Sequence, residues 1–240
     1  MASQPPSGAP LKLCVVGASG GIGTHLVHLS LAEGYRVLAA CREPTRLKEP
    51  PSDRLQVLKV DIAQEGAADA LAKSLEGVDF LFSCLGTTRG EEAVVAKGTR
   101  VLLAAAQKAN IPRMAIISSV GVGDSGPQLR RSGLYGWIAY AVLSTLLRKV
   151  KADLTAAEEL VIGEENKRPE GVSCVVVRPG GLSYVDGDGH YEVARADGTI
   201  GTSIAREDVA RFMLTLATDR QYDNSAVSVG ANAPRVYKKP

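Results

Sequence analysis

A surplus of charge is what this sequence most plainly lacks: 28 Lys and Arg stand against 26 Asp and Glu, a formal +2 over 240 residues. With no basic block interleaved with aromatics, the electrostatic footprint of a nucleic-acid binder is missing. Cysteine is scarce as well. Cys14, Cys41, Cys84 and Cys174 each fall in or at the end of a separate apolar run, with no CxxC pair, which argues against a disulfide framework and a metal site alike. They read as small buried hydrophobes suited to a reducing compartment: the cytoplasm, or an organelle matrix or stroma. His25, His28 and His190 share no ligand spacing with those cysteines, so no metal is expected. Also missing is any run of the roughly 18 apolar residues that would span a bilayer. Met1–Pro10 has neither the apolar core of a secretory signal nor the arginines of a transit peptide; it reads as a flexible tail, as does 233–240.

What is left is an ordinary globular composition, 45% hydrophobic and 22% charged, in an informative order. Short β-branched apolar runs alternate with helical patterns. Strands are predicted at Leu11–Val16, Arg36–Cys41, Leu55–Val60, Phe80–Cys84, Met114–Ser118, Ser173–Arg178 and Ala226–Val229. Helices are predicted at Gly21–Glu33, Ala67–Leu75, Glu91–Ala109, Leu154–Glu165 and Arg206–Ala217. Such alternation implies an α/β fold: a single domain over residues 11–232 with a doubly wound parallel sheet of about seven strands and helices on both faces. The two least regular stretches, Gly121–Lys151 and Leu182–Ser203, follow the carboxyl ends of predicted strands, where open parallel sheets bind ligands. They are expected to line or cover a substrate pocket.

The densest local signal is Val15-Val16-Gly17-Ala18-Ser19-Gly20-Gly21-Ile22-Gly23: an apolar strand, a glycine turn and a helix start. Backbone N–H groups along Gly17, Ser19, Gly20, Gly21, Ile22 and Gly23, with the positive helix end, form a cradle for a diphosphate. Absent side chains let the backbone approach closely; a merely structural tight turn is the alternative. After the second strand, Arg42 stands where an Asp or Glu would accept from ribose hydroxyls, and Arg46 follows one helical turn later. Two guanidiniums suit an adenosine 2′-phosphate. Glu43 could itself reach a ribose, and solvated surface arginines are the plainer alternative. Asp61 and Ile62 close the third strand, where they either receive an adenine or cap the next helix. Leu85, Gly86 and Thr87 close the fourth, at the height of a nicotinamide ribose; Ser118 and Ser119 close the fifth, as substrate-side groups or as strand caps; Pro179 and Gly180, after Arg178, close the sixth and can wall the nicotinamide.

From about Leu11 to Val229 these residues resemble an atypical short-chain dehydrogenase/reductase of the NAD(P)H-binding (NmrA-like) group, which includes biliverdin-IXβ reductase, also called flavin reductase. Besides the strand-end residues above, Ala157-Glu158-Glu159, Tyr191-Glu192-Val193, Ile204–Leu214 and Tyr222-Asp223 carry the likeness. It implies a Rossmann fold, NADPH in preference to NADH, and hydride transfer to a conjugated or aromatic small molecule such as a flavin, a tetrapyrrole or a quinone. Ser119 matches the family's active-site serine, in an orienting role. Two departures stand out. The Tyr-x-x-x-Lys pair of the wider superfamily is missing, because Ala139 stands four residues beyond Tyr135 and Ser144 four beyond Tyr140. Gly181 stands where biliverdin-IXβ reductase has a histidine. The rival reading is therefore a non-catalytic NADPH-binding sensor or assembly subunit of a larger complex. Lys151 is either a proton or phosphate contact or a solvated helix-end lysine. The apolar run Gly133–Leu147, rimmed by Arg130, Arg131, Arg148 and Lys149, is a pocket wall or lid, a protein interface or a membrane-surface element.

Overall fold

The computed structural model describes residues 10–86, 93–164 and 167–231. In chain order the elements are β1 (Lys12–Val16), α1 (Gly21–Ala32), β2 (Arg36–Cys41), β3 (Leu55–Lys59), α2 (Ala67–Ser74), β4 (Phe80–Ser83), α3 (Val94–Ala109) and β5 (Arg113–Ile117). There follow α4 (Gly126–Arg131), α5 (Gly133–Ser144), α6 (Arg148–Ile162), β6 (Ser173–Pro179), β7 (Gly181–Ser183), β8 (Glu192–Ala194), β9 (Ser203–Ala205), α7 (Arg206–Thr215) and β10 (Ser225–Gly230). Eight strands form one sheet in the order β3-β2-β1-β4-β5-β6-β10-β8. Every pairing is parallel except the edge pair β10–β8. The order reverses beside β1, between the β2–β3 wing and the β4 wing, which is where a doubly wound sheet opens a crevice at its carboxyl edge.

The strands are apolar on both faces because both faces are covered. On β1, Leu13 and Val15 pack under α1 and α7, with Phe80, Phe82, Val175 and Val177 from neighbouring strands. Cys14 and Val16 point the other way, into the layer of α2, α3 and α6 with Leu71, Leu102, Leu160 and Val161. The period of two along each strand thus feeds two cores at once. Phe80 and Phe82, two residues apart on one face, stack at 4.5 Å between ring centroids, a contact worth about 1 kcal/mol beyond its burial.

Two buried charges tie the layers together. Arg113, at the start of β5, donates to Asp223 (2.6 Å) and to the carbonyls of Ala217 and Asp219, fastening the segment between α7 and β10. Asp153 of α6 accepts from the N–H groups of Val95 (3.0 Å) and Ala96 (2.8 Å) in the first turn of α3. α3 has no cap of its own, since Ala93 sits in the left-handed region at φ 54°; a carboxylate from the α6 helix packed beside it satisfies those donors instead.

The seven predicted strands and five predicted helices are all present, with ends shifted by a few residues. The sixth strand runs one residue further, to Pro179, and the helix predicted from Leu154 starts at Arg148. Glu91, Glu165 and the segments read as tails, apart from Pro10, lie outside the described residues. One expectation is corrected. Gly121–Lys151 was expected to be irregular and is largely helical, holding α4, α5 and the first turn of α6. α5 carries apolar residues on every side, so the 3.6-residue alternation that marks a helix is absent from it. An eighth sheet strand, β8, and the small parallel pair β7–β9 are each three residues long, too short to register as patterns. Among the described residues no helix is long and apolar enough to cross a membrane.

Candidate functional site

A cleft of about 380 Å³ opens at the carboxyl edge, where the ends of β1, β2, β3 and β4 meet the start of α3. Of the residues singled out above, Gly17, Ser19, Gly20, Arg42, Arg46, Asp61, Ile62, Leu85 and Gly86 line it together. The turn after β1 is built for closeness. Gly17 takes φ +81°, and a Cβ there would stand 2.8 Å from the carbonyl oxygen of Cys84. At Gly23, in the first turn of α1, a Cβ would come within 2.2 Å of the Gly17 carbonyl. Helix and turn are therefore pressed together in a way that only glycine permits. The N–H groups of Gly17 and Ala18 are spent on the Ala40 carbonyl (2.9 and 3.2 Å). α1 itself begins with no side-chain cap and no acidic residue in its first turn, which leaves a positive helix end facing the cleft.

Arg42 and Arg46 stand exposed at the far wall, and Arg46 lies 3.8 Å from the Glu43 carboxylate in a loose surface pair. Such a pair is worth little and is easily exchanged for a stronger anion. Asp61 uses one carboxylate oxygen to accept from the Ala63 N–H (3.0 Å), while α2 begins only at Ala67, capped by Gly66. It closes a turn and does not cap the helix. Ile62 is buried beneath it. Two other basic residues reach this region. Lys97 of α3 lines the cleft and donates to the Ala63 carbonyl (3.1 Å). Arg206, at the start of α7, lies over Gly21, where a Cβ would meet its side chain at 2.7 Å. Neither stands in the glycine turn or at the end of a strand that lines the cleft; each is brought in by helix packing.

Ile22, Ser118, Ser119, Pro179 and Gly180 are not among the residues that line this cleft. Ile22 belongs to the core under α1 and α7. Ser118 is buried and donates to Glu158 (2.5 Å), which also accepts from Arg178 at 2.6 and 2.9 Å. Burial works against the charge of Arg178, but Glu158 and Asp124 more than offset it and hold its pKa above the ordinary value. Hydroxyl, carboxylate and guanidinium thus lock β5, α6 and β6 together. Ser119, half-buried at the next position, donates through its hydroxyl to its neighbour's carbonyl, that of Val120 (3.2 Å). Gly180 is bonded to the Val229 carbonyl, and a Cβ on it would press on the backbone of Thr202 at 3.0 Å. Pro179 accepts from the Val120 N–H, so the β5 and β6 ends are stitched edge to edge. Thr87 lies outside the described residues.

Between α5 and α6 the structure joins two residues that the sequence keeps apart. Lys151 of α6 points its ammonium at the Tyr140 hydroxyl of α5 (3.4 Å) and at Ser144 Oγ (3.1 Å). Hydrogen bonding from Ser144 and then Lys151, with the lysine's charge, lowers the pKa of the Tyr140 phenol below its ordinary value. The ring packs on the loop after β5 and the start of α4: a Cβ at Gly121 would stand 3.8 Å from it and one at Gly126 3.2 Å. A tyrosine and a lysine therefore do meet here, but across two helices and eleven positions. Spacing rules for one helix face cannot find such a pair.

Comparison with known proteins agrees with this architecture. The sequence model of a family described as NAD(P)H-binding matches residues 17–220. The chain is 26% identical to the oxidoreductase aflX of Aspergillus parasiticus, covering 92% of this chain and 83% of that protein. It spans half or less of the length of the plant cinnamoyl-CoA reductases it also matches. Among solved structures it is similar to the oxidoreductase ylbE of Lactococcus lactis, with a TM-score of 0.72 at 19% identity over 92% of this chain and 91% of that one. It is equally similar to ChuY of Escherichia coli O157:H7, described as an anaerobillin reductase, with a TM-score of 0.72 at 22% identity over 95% of this chain and 100% of that one.

Proposed function

Given that the chain belongs to the NAD(P)H-binding family, as an atypical short-chain dehydrogenase/reductase, we propose that it is an NADPH-dependent reductase of a conjugated or aromatic acceptor such as a flavin, a tetrapyrrole or a quinone. The observation that carries this reading is the convergence, in one cleft, of the uncapped start of α1, the close-packed turn at Gly17 and two exposed arginines. In this reading the turn from Gly17 to Gly23 holds the diphosphate, with Arg206 adding positive charge beside Gly21. Arg42 and Arg46 hold the 2′-phosphate, Asp61 and Ile62 the adenine, and Leu85, Gly86 and Thr87 the second ribose. Ser118, Pro179 and Gly180 frame the nicotinamide end, and Ser119 orients the acceptor. One charge-assisted bond to the extra phosphate favours NADPH about ten- to a hundred-fold.

When bound, the dihydronicotinamide supplies a hydride. What the protein must add for a flat, electron-poor acceptor is proximity, orientation and exclusion of water, which together make up much of such a barrier. A proton must follow. The Tyr140 phenol, held by Lys151 and Ser144 and packed against Gly121 and Gly126, has a proton to give at this end of the sheet. The likeness to an anaerobillin reductase makes an open-chain tetrapyrrole one acceptor to test.

The test follows NADPH oxidation with FMN, menadione and biliverdin in turn. Turnover of at least one of them, with NADPH preferred to NADH by tenfold or more in kcat/KM, is the expected result. Tight NADPH binding by calorimetry without oxidation by any acceptor would replace the reductase with the non-catalytic sensor or assembly subunit. No binding heat with either dinucleotide would remove both readings.

A further inference from the structure

The face of α5 that turns away from the protein has no counterpart among the described residues. Leu134 is 79% exposed, Trp137 56% and Ile138 55%, and Leu146, just beyond the helix end, is 80% exposed. Tyr135 and Val142 extend the same face. Only Gly136 and Leu143 of the helix are buried, with Ala139 and Tyr140 packed on Val120 and Leu129 beneath. A contiguous apolar patch of this kind marks a surface that meets something.

What it meets is indicated by charge. From Ser125 to Ala152 the chain carries five basic residues, Arg130, Arg131, Arg148, Lys149 and Lys151, and no acidic one. Arg130 stacks over the rings of both Trp137 (5.5 Å) and Tyr140 (4.9 Å), while Arg148 and Lys149 are exposed just past the apolar segment. Aromatics and leucines on one side, with cations at both ends, form the pattern of a helix that lies in the plane of a membrane interface. At 12 residues α5 is about 18 Å long, too short to cross a bilayer and well suited to lie on one. A second copy of this chain would bring like-charged rims together, which disfavours self-association through this face.

We propose that α5 is a docking element for an anionic lipid surface, with Leu134, Tyr135, Trp137, Ile138 and Leu146 entering the headgroup–acyl boundary and Arg148 and Lys149 meeting the lipid phosphates. This goes beyond the reductase reading and does not depend on it. The chain has one tryptophan, and it sits on this face, so its fluorescence reports the event directly. The experiment mixes the full-length protein with vesicles of phosphatidylcholine containing 30% phosphatidylserine, and with pure phosphatidylcholine. The expected result is a blue shift of emission, quenching by brominated lipid and co-flotation with the anionic vesicles only, reversed by high salt. Arg148→Ser and Lys149→Ser should each weaken partitioning about fivefold. Leu134→Glu with Ile138→Glu should abolish it while leaving the calorimetric affinity for NADPH unchanged, a control that also shows the variant is folded. An unshifted emission with all protein left unbound would overturn the proposal. So would equal partitioning into neutral vesicles. Emission already blue without lipid, together with a concentration-dependent dimer lost in the Ile138→Glu variant, would assign the face to a second copy instead.

Discussion

The turn after β1 and the outer face of α5 lie on the same edge of the sheet and are built to opposite specifications. At Gly23 there is no room for a single methyl group, because a Cβ would lie 2.2 Å from the Gly17 carbonyl. On α5, side chains as large as Leu134 and Trp137 are mostly surrounded by space. The first region is specified by backbone geometry: a phosphate-sized anion needs N–H groups close at hand, and only glycine allows that. The second is specified by composition, where many sequences of similar apolarity would serve. If the first holds a dinucleotide and the second meets a lipid surface, as proposed, that is the difference expected between a cofactor site and a docking surface.

The sharpest way to break that contrast is to fill the turn. Gly23→Val forces the Gly17 carbonyl away from α1 and should weaken NADPH binding by more than a hundred-fold, about 3 kcal/mol, in calorimetry. Vesicle binding through α5 should persist. If cofactor affinity survives within tenfold, the close packing at Gly17 and Gly23 is not what shapes the cradle.

Next in size is the joint between the two regions. α6 brings Lys151 to Tyr140 of α5, and its Asp153 holds the N-terminus of α3, which supplies Val94 and Lys97 to the cleft. Asp153→Ala leaves two N–H donors at a buried helix end without acceptors, at roughly 1–3 kcal/mol each. A loss of about 2–4 kcal/mol is expected. For a chain of this size it lowers Tm by roughly 10 °C, measurable by scanning calorimetry. A change of less than about 2 °C would mean that water caps α3 equally well.

What could be read from the sequence follows the same division. The strands, the order of helices and nine of the residues that line the cleft declare themselves because each lies in the glycine turn or at or just past a strand end. Lys97 and Arg206 do not, since their place depends on how α3 and α7 pack. Ser118 is legible only as a position: its hydroxyl is committed to Glu158, forty residues away, and nothing local announces that. α5 is the clearest miss of the periodicity argument. An amphipathic pattern appears only when one face meets protein and the other meets water, and this helix is apolar on both.

A smaller effect sharpens the cofactor half alone. Arg42→Ala combined with Arg46→Ala should weaken NADPH about ten- to a hundred-fold, the value of one or two charge-assisted bonds, while NADH binding changes by no more than about threefold. Equal loss of both dinucleotides would show that these arginines do not read the 2′-phosphate.

The smallest effect concerns the acceptor half, and it is read as a shape more than a size. If the Tyr140 phenol gives the proton that follows hydride transfer, it must be protonated to act. Activity is then full below its pKa and falls as pH rises through it. Ser144 and Lys151 lower that pKa from the ordinary tyrosine value, so the falling limb should lie below the region near pH 10 where a free phenol ionises. Lys151→Gln removes the ammonium and leaves the phenol in place, and it should move the limb upward without deleting it. Tyr140→Phe should delete the limb altogether, with a loss on the order of tenfold, short of the hundred-fold or more expected of an obligate general acid, because solvent can also protonate a reduced conjugated product. A merely structural Tyr140–Lys151 contact would lower activity evenly across pH in both variants. The profile therefore separates a proton donor positioned by Lys151 from a packing contact that happens to contain the same two residue types.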